Sequence, residues 1–288
     1  MSAILALDSV SKSFGALKVA QAVSFALERG EALGVIGPNG AGKSTLFNLI
    51  TGNIEVDAGR IVFDGADVTR QPPMKRCLAG IGRTFQIPQP FEKLTVFENL
   101  LVAGAFGSRR AEGDVADRCA GILVETGLAA SANKPAGSLS LLQRKRLELA
   151  RALATEPKVL LLDEIAGGLT EGECGELVET IRTIHGRGAS IIWVEHVLHA
   201  LNAVVSRLLV LDFGRVIGMG DPDEIMASKA VREIYLGIEV GCRALGYPSS
   251  ACRHLLPQGE TAAAVCVSAN RRSPWLAATL LPAPLLPL

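Results

Sequence analysis

A glycine-rich segment constrains the fold of this chain more than any other feature of its sequence. The segment spans residues 37–45 and fits the pattern G-x-x-x-x-G-K-[ST]; its members are Gly37, Pro38, Asn39, Gly40, Ala41, Gly42, Lys43, Ser44 and Thr45. An apolar run at residues 33–36 precedes it, and a run with helical character at residues 46–50 follows it. A strand, such a loop and a helix form the context in which this pattern binds phosphate. The segment therefore predicts an α/β domain with a phosphate-binding loop.

The residue types of the loop suit a triphosphate, which needs many inward-pointing hydrogen-bond donors. Glycine at positions 37, 40 and 42 permits unusual backbone angles and lets the backbone amides approach the phosphates. The helix that follows directs its N-terminal amides and the positive end of its dipole at the same anion. We expect Lys43 to add a positive charge toward the β- and γ-phosphates, and Ser44 to supply a hydroxyl ligand for Mg²⁺.

A second chemical element lies at residues 159–164, where the sequence VLLLDE is an apolar run that ends in two carboxylates. A buried carboxylate is costly without a partner, and a metal–phosphate site provides one. Asp163 is the predicted Mg²⁺ anchor, directly or through water, and Glu164 is the predicted base that polarises an attacking water. Together with Lys43, the pair predicts hydrolysis of a nucleoside triphosphate.

The remaining sequence predicts a parallel sheet covered by helices, followed by an extension of different composition. Apolar runs typical of strands lie at residues 4–7, 23–27, 32–36, 60–63, 159–162, 191–194 and 208–211. Apolar positions at helical spacing fill a block at about residues 87–157, and residues 170–173 predict a capping box that opens a further helix. We assign residues 1–237 to one domain. Residues 238–288 are rich in proline and follow neither period, which predicts a poorly ordered extension, with an appended docking segment as the alternative.

Charge and cysteine content exclude several classes of protein. The 29 basic residues balance 29 acidic residues, so a protein that grips nucleic acid through its phosphates is not expected. The six cysteines form no C-x-x-C pair and predict free thiols in a reducing compartment. No signal peptide is apparent, and the longest uncharged stretch, residues 273–288, is short and contains four prolines. We therefore expect a soluble chain that could still dock on a membrane protein.

Several separated motifs, taken in order, resemble those of ABC transporter ATPase subunits across residues 3–237. Phe14 stands where this family carries an aromatic residue that stacks on adenine. Gln86, in GRTFQ, resembles the Q-loop glutamine, which touches Mg²⁺ and senses the membrane partner. His196, after IIWVE, resembles the switch histidine that contacts the γ-phosphate. The resemblance implies a P-loop ATPase fold with an antiparallel β subdomain and an inserted helical subdomain, and ATP and Mg²⁺ as ligands.

Two longer segments, residues 81–104 and residues 146–153, resemble the ATP-binding subunits of branched-chain amino acid importers. In that group, ATP hydrolysis drives the uptake of hydrophobic amino acids and sometimes of urea or related small amides. The resemblance implies integral-membrane permease subunits, a second identical or paralogous ATPase subunit and, indirectly, a solute-binding protein as partners. It places the chain peripherally on the cytoplasmic face of the inner membrane, and no nucleic-acid partner is expected.

The chain departs from the family pattern in the signature loop. The family sequence is LSGGQ, and here residues 139–143 read LSLLQ, which keeps Ser140 and Gln143 as ligands of the ATP bound by the opposite subunit but replaces both glycines by leucine. Leucine removes close backbone approach and makes any positive φ costly. We expect the basic run at residues 144–146 to face phosphate or the dimer seam, or else to be a solvated turn. The family's D-loop aspartate is Thr170 here, and Ile165 replaces the proline after the acidic pair.

Three functions from different classes remain open on the sequence alone, and the transport motor is favoured. A soluble ABC ATPase of DNA repair or translation is the first rival; repair types carry coiled-coil insertions and translation types two tandem cassettes, whereas this chain has one phosphate loop and no heptad run. A nucleotide-binding, weakly hydrolysing subunit is the second rival, because the signature loop is substituted.

Overall fold

The computed structural model describes residues 3–108, 110, 112–229 and 231. The predicted extension at residues 238–288 lies outside the described residues, as do the last residues of the predicted domain, 232–237. The described part holds ten strands and eight α-helices. The strands are β1 (Ala3–Phe14), β2 (Leu17–Glu28), β3 (Ala32–Ile36), β4 (Ala58–Phe63), β5 (Ala66–Asp67), β6 (Ile81–Arg83), β7 (Val159–Asp163), β8 (Ser190–Val194), β9 (Arg207–Asp212) and β10 (Arg215–Gly220). The helices are α1 (Lys43–Thr51), α2 (Pro73–Ala79), α3 (Val96–Gly107), α4 (Glu112–Glu125), α5 (Leu141–Ala154), α6 (Glu171–Gly186), α7 (Leu198–Asn202) and α8 (Pro222–Ala227).

The larger of the two sheets has the strand order β10-β9-β3-β8-β7-β6. Five of these strands run parallel, and β10 pairs antiparallel with β9 at one edge. Every residue of β3, β7 and β8 is buried, as expected for strands that helices cover on both faces. The predicted parallel sheet, and the strands assigned to its apolar runs, are confirmed.

A second, four-stranded sheet has the order β2-β1-β4-β5 and is antiparallel throughout. Its buried face contributes Leu5, Leu27 and Ile61 to a hydrophobic core that also contains Phe47 and Leu49 of α1. Helix α1 therefore begins at the phosphate loop and is held in place by the apolar faces of both sheets. This sheet is the antiparallel β subdomain that the family resemblance implied.

The predicted helical block contains α3, α4 and α5. Each of α3, α5 and α6 opens with a capping box, in which the N-cap hydroxyl and the side chain three residues later satisfy each other's backbone amides. The box predicted at residues 170–173 is therefore confirmed. The free cysteines at 77, 119 and 174 are buried or half-buried, as predicted, and burial raises the pKa of each thiol.

The topology brings four loops to one edge of the larger sheet. Strands β3, β6, β7 and β8 are parallel, so the segments that follow them leave from the same side. The phosphate loop follows β3, Gln86 lies three residues after β6, Glu164 directly follows β7, and His196 lies just after β8. Ligands of open α/β sheets bind at this carboxyl edge.

Candidate nucleotide-binding site

The glycines of the phosphate loop have distinct physical reasons for being glycine. A Cβ on Gly37 would lie 2.1 Å from the carbonyl oxygen of Leu211, although its backbone is not left-handed. Gly40 has φ +80° with open space around it, and Gly42 has φ +102° with its ideal Cβ 2.6 Å from the carbonyl oxygen of Val19. Position 37 therefore requires glycine for close packing, position 40 for its dihedral angle, and position 42 for both.

The loop curls around the ammonium group of Lys43. Its Nζ donates to the carbonyl oxygens of Gly37 (2.7 Å) and Pro38 (3.1 Å). Helix α1 begins at Lys43, its N-cap is Gly42 with no side-chain cap, and its first turn carries no acidic residue. Ser44, in that first turn, is exposed. The N-terminal amides and the positive dipole end of α1 thus suit an anion.

The charges around Lys43 show that the acidic pair, Asp163 and Glu164, lies near the phosphate loop. Burial lowers the pKa of Lys43, and the nearby carboxylates of Glu164 and Asp163 act in the opposite direction. These carboxylates follow or end β7, which is separated from β3 by β8 in the sheet. The acidic pair and the phosphate loop therefore share one electrostatic environment, as the sequence required.

The carboxylate of Glu164 is in hydrogen-bond contact with two other candidate residues, Gln86 and His196. Gln86 Nε2 donates to Glu164 Oε2 at 2.5 Å, and His196 Nε2 lies 2.9 Å from Glu164 Oε1. The backbone amide of Glu164 donates to Val194 O (2.8 Å), and its φ of +44° lies in the left-handed region. A non-glycine residue in that region costs about 1–3 kcal/mol and is typical of functional sites.

The carboxylate of Asp163 has one oxygen paired and one free. Arg83 Nη2 donates to Oδ2 at 2.8 Å, and the other guanidinium nitrogen, Nη1, donates to Asn48 Oδ1 of α1 at 2.6 Å. The backbone amide of Asp163 donates to Thr84 Oγ1. Oδ1 is buried and has no hydrogen-bond partner among the described residues. A free, buried carboxylate oxygen beside a phosphate loop fits Mg²⁺, which prefers hard oxygen ligands.

Two buried charged residues lie behind Glu164. Lys145 Nζ, on α5, donates to the carbonyl oxygens of Gln86 (2.7 Å) and Glu164 (3.2 Å), and burial lowers its pKa. Glu195 accepts hydrogen bonds from the backbone amides of Ala166 and His196, both at 3.0 Å. Burial raises the pKa of the Glu195 carboxyl. Lys145 and Glu195 together fix the main chain of the three loops that carry Gln86, Glu164 and His196.

The substituted signature loop forms the N-terminus of α5. Ser140 is the N-cap of α5 and forms a capping box with Gln143. Leu141 and Leu142 lie in the first turn of α5, so neither residue adopts a positive φ and the substitution causes no backbone strain. Leu141 is 45% exposed, and its Cδ2 lies 3.4 Å from the position that a Cβ on Gly168 would take.

The basic run at residues 144–146 makes contacts within the chain, so it is not the solvated turn that the sequence left open as one alternative. Arg144 donates to the carbonyl oxygen of Gly137 at 2.7 Å, and Arg146 pairs with Glu176 at 2.7 Å. Lys145, between these two residues, is buried behind Glu164. All three cations therefore make contacts within the chain, because the early turns of α5 face neighbouring loops.

Phe14 lies at the turn between β1 and β2 and is 50% exposed. The ammonium group of Lys12 is 5.5 Å from the centroid of its ring. Among the residues that the structure describes, no hydrogen bond or ring contact joins Phe14, Ser140 or Gln143 to the phosphate loop. The structure thus brings together Lys43, Asp163, Glu164, Gln86 and His196, whereas Phe14, Ser140 and Gln143 make no hydrogen bond or ring contact with this group among the described residues.

Sequence reasoning missed Arg83, Glu195 and the position of Lys145. Arg83 ends an otherwise apolar strand, and Glu195 follows the apolar run of β8. A charged residue directly after a buried strand was the signal for Glu164; Glu195 carries the same signal, and Arg83 is a charged residue at the end of a strand.

Comparison with known proteins places this site in a family. The family model described as ABC transporter matches residues 20–167. The LivG protein of Archaeoglobus fulgidus, a probable branched-chain amino acid transport ATP-binding protein, is 35% identical over 82% of this chain and 96% of its own length. LivG of Salmonella typhimurium is 35% identical over 81% of this chain and 98% of its own length. The lipopolysaccharide export ATP-binding protein LptB of Haemophilus influenzae is 31% identical over 81% of this chain and 97% of its own length.

Solved structures agree with these relatives. A nucleotide-free ATP-binding cassette from an ABC transporter superposes with a TM-score of 0.75 at 31% identity, over 81% of this chain and 99% of that chain. The ADP conformation of another such cassette gives a TM-score of 0.75 at 32% identity, over 82% of this chain and all of that chain. The fold, the phosphate loop with its acidic pair, and these relatives lead to one conclusion. The chain belongs to the ABC transporter family, as an ATP-binding subunit with ATPase activity.

Proposed function

We propose that this chain is the ATP-hydrolysing motor of an importer for branched-chain or other hydrophobic amino acids, or for related small amides. The observation that carries the proposal is the convergence of Lys43, Asp163 and Glu164 at one sheet edge, with Glu164 hydrogen-bonded to Gln86 and His196. The substrate class is supported by the LivG relatives, which are named for branched-chain amino acid transport and match over nearly their whole length.

Each residue of the site has a defined task in this proposal. The loop amides at residues 37–45 and Lys43 bind the phosphates and offset charge that develops in the transition state. Glu164 orients and polarises the attacking water. Gln86 contacts one oxygen of the Glu164 carboxylate, and His196 contacts the other. His196 is also the residue that contacts the γ-phosphate.

Mg²⁺ has a suitable set of ligands here. Asp163 offers its free Oδ1, Ser44 its hydroxyl and Gln86 its side-chain amide oxygen. When bound, Mg²⁺ neutralises phosphate charge and polarises the bond that breaks. No cluster of three or more His, Cys, Asp or Glu side chains able to hold a metal occurs in the described part of the chain, which suits an ion held chiefly by its nucleotide.

A second ATPase subunit, identical or paralogous, completes the site. Ser140 and Gln143 lie at the start of α5, where the dipole and N-cap favour an anion. They face the ATP of the opposite subunit in a head-to-tail pair, and Phe14 stacks on the adenine of its own subunit. Closure around two nucleotides and reopening after hydrolysis supply the motion.

The membrane partner binds at a groove beside Gln86. A cavity of about 230 Å³ is lined by residues that include Arg83, Phe85, Glu148 and Arg151, and Phe85 is half exposed. None of the described helices has the length and apolar character to cross a membrane. The transport function therefore needs integral-membrane permease subunits, which hold this chain peripherally at the cytoplasmic face of the inner membrane, and a solute-binding protein acts indirectly.

One observation favours a second candidate, a subunit that binds nucleotide but hydrolyses it weakly. The side chain of Leu141 is 45% exposed at the start of α5, where the family pattern has glycine. A bulky apolar side chain there keeps a nucleotide phosphate further from the amides of the helix N-terminus. The substitution leaves the site around Glu164 intact, so the motor remains the stronger proposal.

Steady-state phosphate release from the full chain with its membrane partners separates the two candidates. We expect Glu164→Gln to lower kcat at least about a hundredfold with little change in nucleotide affinity, because the general base is lost and the phosphate contacts remain. Lys43→Ala is the complementary variant and should weaken ATP binding. A wild-type rate as slow as that of Glu164→Gln refutes the motor, and unchanged ATP binding by Lys43→Ala refutes the phosphate-loop assignment.

Purification from the native source tests the partner class. The importer proposal expects two apolar permeases in the membrane fraction and ATP-dependent uptake of branched-chain amino acids after reconstitution. Co-purification with nucleic acid or ribosomes instead supports the soluble ATPase rival. Uptake of an unrelated solute would keep the motor and refute the substrate class.

A further inference from the structure

Arg83 stands between the nucleotide site and the groove, and none of the roles described so far uses it. It is the last residue of β6, and its side chain is 9% exposed. Its guanidinium donates to Asp163 on one side and to Asn48 of α1 on the other. The same side chain lines the 230 Å³ groove beside Phe85. One buried cation thus touches the acidic strand, the helix of the phosphate loop and the groove.

Aromatic rings fix the guanidinium on two sides. Its Cζ lies 5.0 Å from the ring centroid of Phe85 and 5.6 Å from that of Phe47. Phe47 is fully buried in the core, whereas Phe85 is half exposed at the groove. Arginine is suited to this arrangement because its planar fork can donate to two acceptors while it stacks on aromatic faces. The wall formed by Phe47 is rigid, and the wall formed by Phe85 is accessible.

We propose that Arg83 is a positioning residue that orients Asp163 toward Mg²⁺ and makes that orientation sensitive to the groove through Phe85. The proposal rests on the proposed function, since Asp163 must be the metal carboxylate. Because Arg83 occupies Oδ2, the free Oδ1 is the oxygen left for the ion. Arg83 also supplies a countercharge to this carboxylate, whose side chain is only 5% exposed.

The structure distinguishes Arg83 from the other arginine of the groove. Arg151 lies 5.4 Å over the ring of Phe91 and pairs with Glu148 at 3.1 Å. It is the same residue type in the same cavity, stacked on an aromatic ring and paired with a buried carboxylate, but it makes no hydrogen bond or ion pair with Asp163. Arg151→Gln is therefore the matched control for Arg83→Gln.

The experiment measures Mg²⁺ affinity separately from nucleotide affinity. The full chain is titrated with a fluorescent ATP analogue in EDTA and then with MgCl₂ at fixed analogue. Loss of an outer-shell partner commonly lowers metal affinity by about 10–100-fold, so we expect Arg83→Gln to weaken Mg²⁺ binding by that factor. Affinity in EDTA should change less than about threefold, because the loop amides and Lys43 are intact. Arg151→Gln should match the wild type in both titrations.

Two further variants keep the proposal testable if Arg83→Gln does not fold. Arg83→Lys keeps the charge but cannot span Asn48 and Asp163, so Mg²⁺ affinity should fall between wild type and the Gln variant. Phe85→Leu keeps the groove apolar but removes the accessible ring, and should weaken Mg²⁺ binding about two- to fivefold. Wild-type Mg²⁺ affinity in Arg83→Gln, or in Arg83→Lys if the Gln variant does not fold, refutes the positioning role.

The remaining outcomes of the titrations also test parts of the proposal. Unchanged Mg²⁺ affinity in Phe85→Leu alone refutes the link to the groove and leaves the positioning role standing. Equal losses in Arg151→Gln and Arg83→Gln overturn the proposal, because the effect would then be a general disturbance of the groove. If the wild type itself binds the analogue independently of Mg²⁺, the proposed function fails together with this inference. A failure of this inference alone is seen only in the variants, so the two cases can be told apart.

Discussion

Replacement of Lys145 by methionine removes the buried cation behind Glu164 while nearly keeping side-chain length. Lys145 is 3% exposed, and its Nζ donates to the carbonyl oxygens of Gln86 and Glu164. These two carbonyls belong to segments that follow different strands, so the ammonium group connects the loop after β6 with the end of β7. The variant therefore tests whether one side chain holds the two loops in register.

The expected loss of stability follows from these contacts. Hydrogen bonds from a charged donor contribute about 1.5–3 kcal/mol each, so the two bonds together amount to about 3–6 kcal/mol. Methionine no longer has to bury an ammonium group, which offsets part of this loss. We expect a net decrease of about 2–4 kcal/mol in the free energy of unfolding. For a domain of this size that corresponds to a fall of about 5–15 °C in Tm.

Thermal unfolding followed by circular dichroism measures this change, with Arg146→Met as the control on the same helix. Arg146 pairs with Glu176, whose side chain is 61% exposed, and such pairs contribute at most about 1 kcal/mol. At a temperature where both variants are folded, Lys145→Met should lower kcat at least about tenfold, with a much smaller change in KM, because the loop behind Glu164 shifts while the phosphate contacts remain. Equal Tm values for the two variants would refute the reasoning.

The other predictions concern the loop, a buried carboxyl and a helix cap. Gly37→Ala should abolish nucleotide binding in an equilibrium titration, because its Cβ would lie 2.1 Å from Leu211 O, whereas Gly40→Ala meets open space and should cost only about 1–2 kcal/mol of stability. Burial raises the pKa of the Glu148 carboxyl above 4.5, so its contribution to stability is complete below pH 4.5 and is lost as pH rises through the raised pKa of the folded state. Over that pH range, the Tm of Glu148→Gln should fall less steeply than the Tm of the wild type. Parallel Tm profiles would contradict this. Thr170→Ala removes the N-cap of α6 and should lower the free energy of unfolding, measured in urea, by about 1 kcal/mol.

Local sequence determined the elements that depend on local physics. The phosphate loop could be predicted because its glycines, its lysine and the flanking strand and helix lie within a short segment. The strands of the parallel sheet could be predicted because burial on both faces requires continuous apolar runs. The box at residues 170–173 could be predicted because capping joins residues three apart. Each of these signals is complete within a few turns of chain.

The bridges between loops could not be predicted in the same way. Lys145 and Gln86 are 59 residues apart, and Arg83 and Asp163 are 80 residues apart. Whether a lysine in the first turns of a helix faces solvent or a neighbouring loop depends on how α5 is rotated against the sheet. Helical spacing within the basic run gave no information on that rotation, so the sequence could not decide between a run that faces phosphate or the dimer seam and a solvated turn.

The signature loop shows how a departure from a family pattern can be neutral for folding and still matter for function. Ser140 caps α5 with Gln143, and Leu141 and Leu142 continue the helix in ordinary geometry, so nothing in the backbone demands glycine. Any cost of the two leucines must therefore arise where Leu141 meets another molecule, since its side chain is 45% exposed. Apolar side chains at this position would dehydrate a neighbouring phosphate without donating to it, which weakens anion binding rather than the fold. In the proposed pair of subunits, the strength of closure, and not the integrity of the site around Glu164, is thus the property that would distinguish the motor from a weakly hydrolysing relative.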